Sequence, residues 1–138
     1  MAKDIFHDAV VVALQNEGWT ITHDPYTIGI SETVSFYIDI GAEKLLGAEK
    51  EGNKIAVEVK SFVGNSTSYD FHNAIGQFID YFVALEEKEP DRVLFLAVPE
   101  TTYVSFFLLP IIQKALKFVN AKLIIYQPNT NTIKEWIK

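Results

Sequence analysis

The residues of this chain best suited to chemistry are Glu58 and Lys60, two apart in a run, 54–62, that alternates as a β-strand does. A period of two puts both side chains on one side with Ala56, while Ile55, Val57 and Val59 point to the other, the side expected to be the core. Upstream, Asp39 closes an apolar run at the mouth of a strand, where a short acid has no packing role. Two carboxylates and a lysine converging on a sheet surface fit phosphodiester chemistry. Mg²⁺ is held by one or two carboxylates together with waters and a phosphate oxygen. A lysine beside it orients the attacking water or offsets charge that develops on the phosphate.

A β-hairpin is the element that must position these groups. Residues 45–50 and 54–62 are extended in pattern and flank Glu51-Gly52-Asn53-Lys54, with Gly52-Asn53 expected as the two-residue turn. Counting outward pairs Lys50 with Ile55, Glu49 with Ala56 and Gly47 with Glu58, which sets Glu49 on the Glu58 side. Asp39 leads as the first acid, with Glu43 and Glu49 as its rivals. The same alternation of charges also describes a ladder of ion pairs on a solvated strand. The two readings differ in access: hydrolysis needs Glu58 and Lys60 open to a phosphate-sized cleft, and such a cleft is the expectation.

Asp39 followed by Glu58-Val59-Lys60 resembles the PD-(D/E)XK nuclease signature, although Ile38 stands where that signature has proline. A second pattern lies downstream. Gln77 and Tyr81 form Gln-x-x-x-Tyr, whose i, i+4 spacing puts both on one helical face. In RecB-like nucleases, which this resembles, the pair sits on the helix after the Glu-x-Lys strand, near the DNA. The structural alternative makes Tyr81 a core residue and Gln77 a surface one. The resemblance implies that Asp39 and Glu58, with the Val59 carbonyl, ligate Mg²⁺ or Mn²⁺, that Lys60 positions water, and that Gln77, Tyr81, Glu49 and His7 support the site. His7 lies on the first helix, where nucleases of this fold often carry an auxiliary acid.

Composition bounds the rest. At 138 residues, half of them hydrophobic and ten of them Phe, residues 1–138 are expected to form one domain with a substantial core. The absence of cysteine removes disulfides and thiolate chemistry and fits a reducing cytoplasm. No signal peptide and no membrane-spanning run is visible, so a cytoplasmic protein with no membrane partner is expected. A net charge of −6 and a single arginine argue against a simple nucleic-acid-binding module. DNA, if bound, is expected at the hairpin, where Lys44, Lys50, Lys54 and Lys60 gather.

The chain opens on a helix, 3–17, ended by Gly18. Strand-like stretches follow at 19–22, 26–30 and 34–40, with a turn at Asp24-Pro25 that accounts for Asp24 better than a metal pair with His23 does. After the hairpin come a helix over 69–87, a buried strand over 92–98, a helical stretch over 101–119 broken at Pro110, and strands at 122–126 and 132–137. The order is αβββαβ followed by αββ, an α/β (α+β) arrangement with a mixed β-sheet flanked by helices, matching the restriction-endonuclease-like core.

Over nearly its full length the chain also resembles the XisH-like family, the fdxN element excision controlling factors of cyanobacteria. The residues that carry this likeness are KDIFHDAV, GWTITHDP, IDIGAEKLLGAEK, KIAVEVKSF, AIGQF, EPDRVLFLAVP and IKEWI. The resemblance implies a factor required to excise a DNA element during heterocyst differentiation, acting with a site-specific recombinase and an XisI-type partner protein, with assembly as a homo-oligomer left open. It does not by itself imply hydrolysis, because a fold outlives its chemistry.

Overall fold

The structure is a computed structural model that describes residues 5–26 and 45–138. The first helix, α1 (His7–Asn16), leads into β1 (Thr20–His23), and the hairpin β2 (Leu45–Lys50) and β3 (Asn53–Val59) follows. Helix α2 (Thr67–Lys88) crosses over to β4 (Arg92–Pro99). A second crossover, made of α3 (Glu100–Thr102), a π-helical turn (Tyr103–Phe107) and α4 (Pro110–Phe118), reaches β5 (Leu123–Gln127) and finally β6 (Thr132–Ile137). The break expected at Pro110 is the meeting of two short helical segments rather than a kink: Pro110 opens α4 at the first position, where its missing N–H costs nothing.

Six strands lie side by side in chain order among the described residues. β3 runs parallel to β4 and β4 to β5, whereas the outer pairs are antiparallel. The two parallel pairs need crossovers, and the two helical connections supply them. This mixed sheet flanked by helices is the expected architecture and is consistent with an α/β nuclease-like fold. The strand-like stretches at 27–30 and 34–40 lie outside the described residues.

The hairpin turns one residue earlier than the sequence pattern suggests. Glu51 and Gly52 occupy the turn with φ of 51° and 83°, and Lys50 pairs with Asn53, Glu49 with Lys54, Gly47 with Ala56 and Leu45 with Glu58. Two-residue hairpin loops that match the strands' right-handed twist need positive φ at both central positions, and Gly52 serves best at the second of them. The register therefore slips by two from the expected one, which preserves every side chain's face but moves it along the strand.

Both faces of β3 are buried, where one face was expected to meet solvent. Val10 and Leu14 of α1 cover Leu46, Val57, Val59, Phe95 and Ile124 on one side. On the other, Phe71, Phe78, Tyr81 and Leu85 of α2, with Phe107 and Leu116, cover Leu45, Ala56, Leu94, Leu96 and Ile125. A parallel strand in the middle of a sheet has helices on both sides, so its polar positions are enclosed too. No helix among the described residues is long and apolar enough to cross a membrane.

Candidate active site

Glu58 and Lys60 stand at the carboxyl end of β3, the end of parallel strands where open α/β sheets gather their ligands. Glu58 is fully buried, between Leu45 of β2 and Leu96 of β4 in the register. Lys60 carries the ladder one step past the strand, its N–H donating to the Ala97 carbonyl at 3.1 Å. Its own carbonyl accepts the Tyr126 hydroxyl at 2.9 Å. The ammonium lies 3.9 Å from Glu58 Oε2, and its side chain keeps 14% of its exposure. The expected open cleft is therefore half met: Lys60 reaches solvent, and Glu58 does not.

A cleft of about 260 Å³ opens on Lys60, lined further by Ser61, Phe62, Val63 and Gly64 of the following loop and by Asp70 and Asn73 of α2. Two backbone features shape it. Phe62 adopts φ of 56°, a left-handed conformation that a bulky residue takes at a cost of about 1–3 kcal/mol; its ring is held edge-on against Phe107 at 5.3 Å. A Cβ on Gly64 would come within 2.8 Å of Asp70 Oδ2, so only glycine lets this carboxylate lie against the loop. Ser66 caps α2 by accepting the Tyr69 N–H at 3.2 Å, which fixes the helix start that carries Asp70.

The other candidates divide. Gln77 and Tyr81 lie on α2, on the Glu58 side of the sheet, on a stripe that begins at Asp70 and Asn73. Tyr81 is fully buried, and Gln77 Oε1 is buried with no hydrogen-bond partner among the described residues. Val59 is buried at the end of β3. His7 is not brought to this side: α1 packs on the Val57–Val59 face, and His7, 1% exposed, binds Asp24 through Nε2 at 2.8 Å. Asp24, expected only as a turn residue, thus has a partner, in the bend before a cis Pro25.

Glu49 shares the Glu58 face as expected but stands opposite Lys54, four residues or roughly 13 Å along β3. It belongs instead to a cluster around buried Arg92, whose guanidinium lies 4.0 Å from Glu49, 2.9 Å from Glu89 and over the Tyr26 ring. Burial pulls Glu89 upward, but the Tyr26 hydroxyl and the Arg92 charge outweigh it and hold the carboxyl below its ordinary range. Burial, and then the Glu89 carboxylate that accepts its proton, push Tyr26 up to about 12. Asp39 and Glu43 lie outside the described residues.

The expected metal site calls for a second acid beside Glu58. Among the described residues no group of three His, Asp or Glu side chains comes together to hold an ion. Glu58 supplies one carboxylate of the hard-oxygen type that Mg²⁺ takes, which is half of a pair. Asp70 and Asn73 were not singled out in the sequence, although Asp70 precedes Gln77 by seven residues and so extends the Gln77–Tyr81 stripe by two turns.

A mixed α/β sheet with a Glu-x-Lys pair at the carboxyl end of β3, the first of its three parallel strands, is consistent with a nuclease-like fold. The chain belongs to the XisH family, whose model, "XisH protein", matches residues 1–134. It is similar to the crystal structure of an XisH family protein from Nostoc punctiforme PCC 73102, with 45% identity, a TM-score of 0.88 and coverage of 98% of this chain and 100% of that one. It is equally similar to a fdxN element excision controlling factor protein from Anabaena variabilis, with 45% identity, a TM-score of 0.87 and coverage of 96% and 98%. No curated protein matches.

Proposed function

We propose that this chain is a DNA-element excision controlling factor whose Glu58–Lys60 site hydrolyses phosphodiester bonds with a divalent metal. The observation that carries the reading is the pair itself, a fully buried carboxylate 3.9 Å from a lysine that opens on a cleft. Apolar residues of similar size would be as stable there or more so, and a charged pair kept against that preference is a mark of use. The left-handed Phe62 beside it is strain of the kind that collects at working sites.

In this reading Asp39 and Glu58, with the Val59 carbonyl, hold Mg²⁺ or Mn²⁺, which would polarise the phosphate and lower the pKa of a bound water. Lys60 orients the attacking water and offsets the charge that grows on the phosphate. Asp70 and Asn73 bind water or the scissile strand at the cleft wall, and Gln77 and Tyr81 brace the site from α2. DNA is the substrate, and a site-specific recombinase and an XisI-type protein are the partners. The test is cleavage of single-stranded, duplex and branched DNA with Mg²⁺ or Mn²⁺. Wild type should cut only with metal, Glu58→Ala should not cut at all, and Asp70→Asn should cut more slowly. Wild type that cuts nothing, with or without its partner, ends the enzymatic reading.

One observation favours a second reading. Glu58 has no solvent exposure, and a closed ion pair serves a non-catalytic protein that retains the fold while binding DNA or the recombinase. Such a protein would bind equally well as Glu58→Ala.

A further inference from the structure

A second concavity lies at the other end of the sheet. Helix α1 has ten residues and so spans about 15 Å, which leaves the amino ends of β3 and β4 uncovered on its side, where Val93 remains 39% exposed. The resulting cleft measures about 710 Å³, in the range of sites that take nucleotide-sized ligands. Its rim holds Lys50, Lys54, Lys122 and Lys138, four of the chain's twelve basic residues, against two carboxylates, Glu17 and Asp91.

The two carboxylates offset part of this charge and leave the rim positive: Asp91, 68% exposed, pairs with Lys54 at 3.8 Å, and Glu17 Oε1 accepts the Trp136 indole N–H at 3.0 Å. Lys50 is held by the Glu17 carbonyl at 2.6 Å, and Lys138 lies over the Trp136 ring. A chain of net charge −6 thus concentrates positive charge at one hollow. The wall between the lysines is aromatic: Trp19 and Trp136 are stacked 5.7 Å apart, with Phe95 edge-on to Trp136 at 5.1 Å.

We propose that this cleft binds single-stranded nucleic acid, its lysines on the phosphates and its indoles against the bases. Lysines ringing aromatic side chains make the surface on which single strands bind without sequence preference. A duplex keeps its bases stacked inside and would meet the rim only. An acidic peptide would satisfy the lysines and leave the indoles idle. Binding here does not require the Glu58 site to be active, because Lys54 stands at the amino end of β3 and Glu58 near its carboxyl end.

The tryptophans supply the probe, since Trp19 and Trp136 are the only two in the chain and both line the cleft. Titrating the full chain with a short oligothymidylate should quench their fluorescence saturably. With three or four phosphate contacts, log affinity should fall against log salt with a slope of about −2 to −3. Lys54→Glu/Lys122→Glu should weaken binding at least about tenfold, and Lys122→Ala less. Far-UV circular dichroism confirms that each variant is folded. Glu58→Ala should bind as wild type does, which separates this site from the hydrolytic one. No quenching, quenching that folded lysine variants retain, or equal quenching by polyglutamate would overturn the proposal, the last in favour of an acidic protein surface.

Discussion

Removing the Lys60 ammonium should destabilise this protein more than removing both members of the Glu58–Lys60 pair. At 3.9 Å and an effective dielectric constant near 20, the two charges attract by about 4 kcal/mol. Lys60 retains 14% exposure, so water already screens part of that, and a loss of about 3 kcal/mol is expected for Lys60→Met, in line with breaking other buried pairs. With a urea slope of about 2 kcal/mol per molar, the unfolding midpoint should fall by roughly 1.5 M. Glu58→Leu/Lys60→Met removes both charges and fills the space between Leu45 and Leu96 with carbon. It should recover most of the loss and end near wild type or about 1–4 kcal/mol above it. Urea melts of the wild type, both single variants and the double variant form a closed cycle. A Lys60→Met midpoint within about 0.3 M of wild type, or a double variant as unstable as the sum of the singles, would refute the reasoning.

Two further outcomes follow from other parts of the fold. Tyr26 keeps its proton up to about pH 12 when folded but releases it near 10 when unfolded, so its contribution is intact below pH 10 and is lost as pH rises from 10 to 12. Urea midpoints measured across that window should fall less steeply in Tyr26→Phe than in wild type; identical slopes would remove Tyr26 as the cause. Gly47→Ala puts a Cβ 2.8 Å from His23 Nδ1 and 3.1 Å from His23 Cβ, and the second contact lies too near the backbone to swing away. A loss of about 1–3 kcal/mol is expected, and a variant as stable as wild type would show that β1 yields.

Much of the candidate site's geometry was legible in the sequence because its information is local. The period-two run around Glu58 and the i, i+4 spacing of Gln77 and Tyr81 each sit within one element, so the chain alone places both pairs on the right faces. Even the misplaced turn left Glu49 on the correct side, since a slip of two residues conserves faces. What it altered was distance, moving Glu49 away from Glu58 and into the Arg92 cluster.

Element order, the crossovers and the kinship with XisH proteins were thus determined by the sequence, through hydrophobic period, turn residues and motif spacing. Tertiary structure decided which surfaces are shut. Alternation cannot distinguish a strand with one wet face from a central strand roofed by α2, and that roof buries Glu58. Long-range packing likewise carried Asp70 to the mouth of the Lys60 cleft, set His7 on Asp24 across the sheet, and brought Trp19 against Trp136 from the two ends of the chain. Such meetings depend on how the layers stack, a property that no single element encodes.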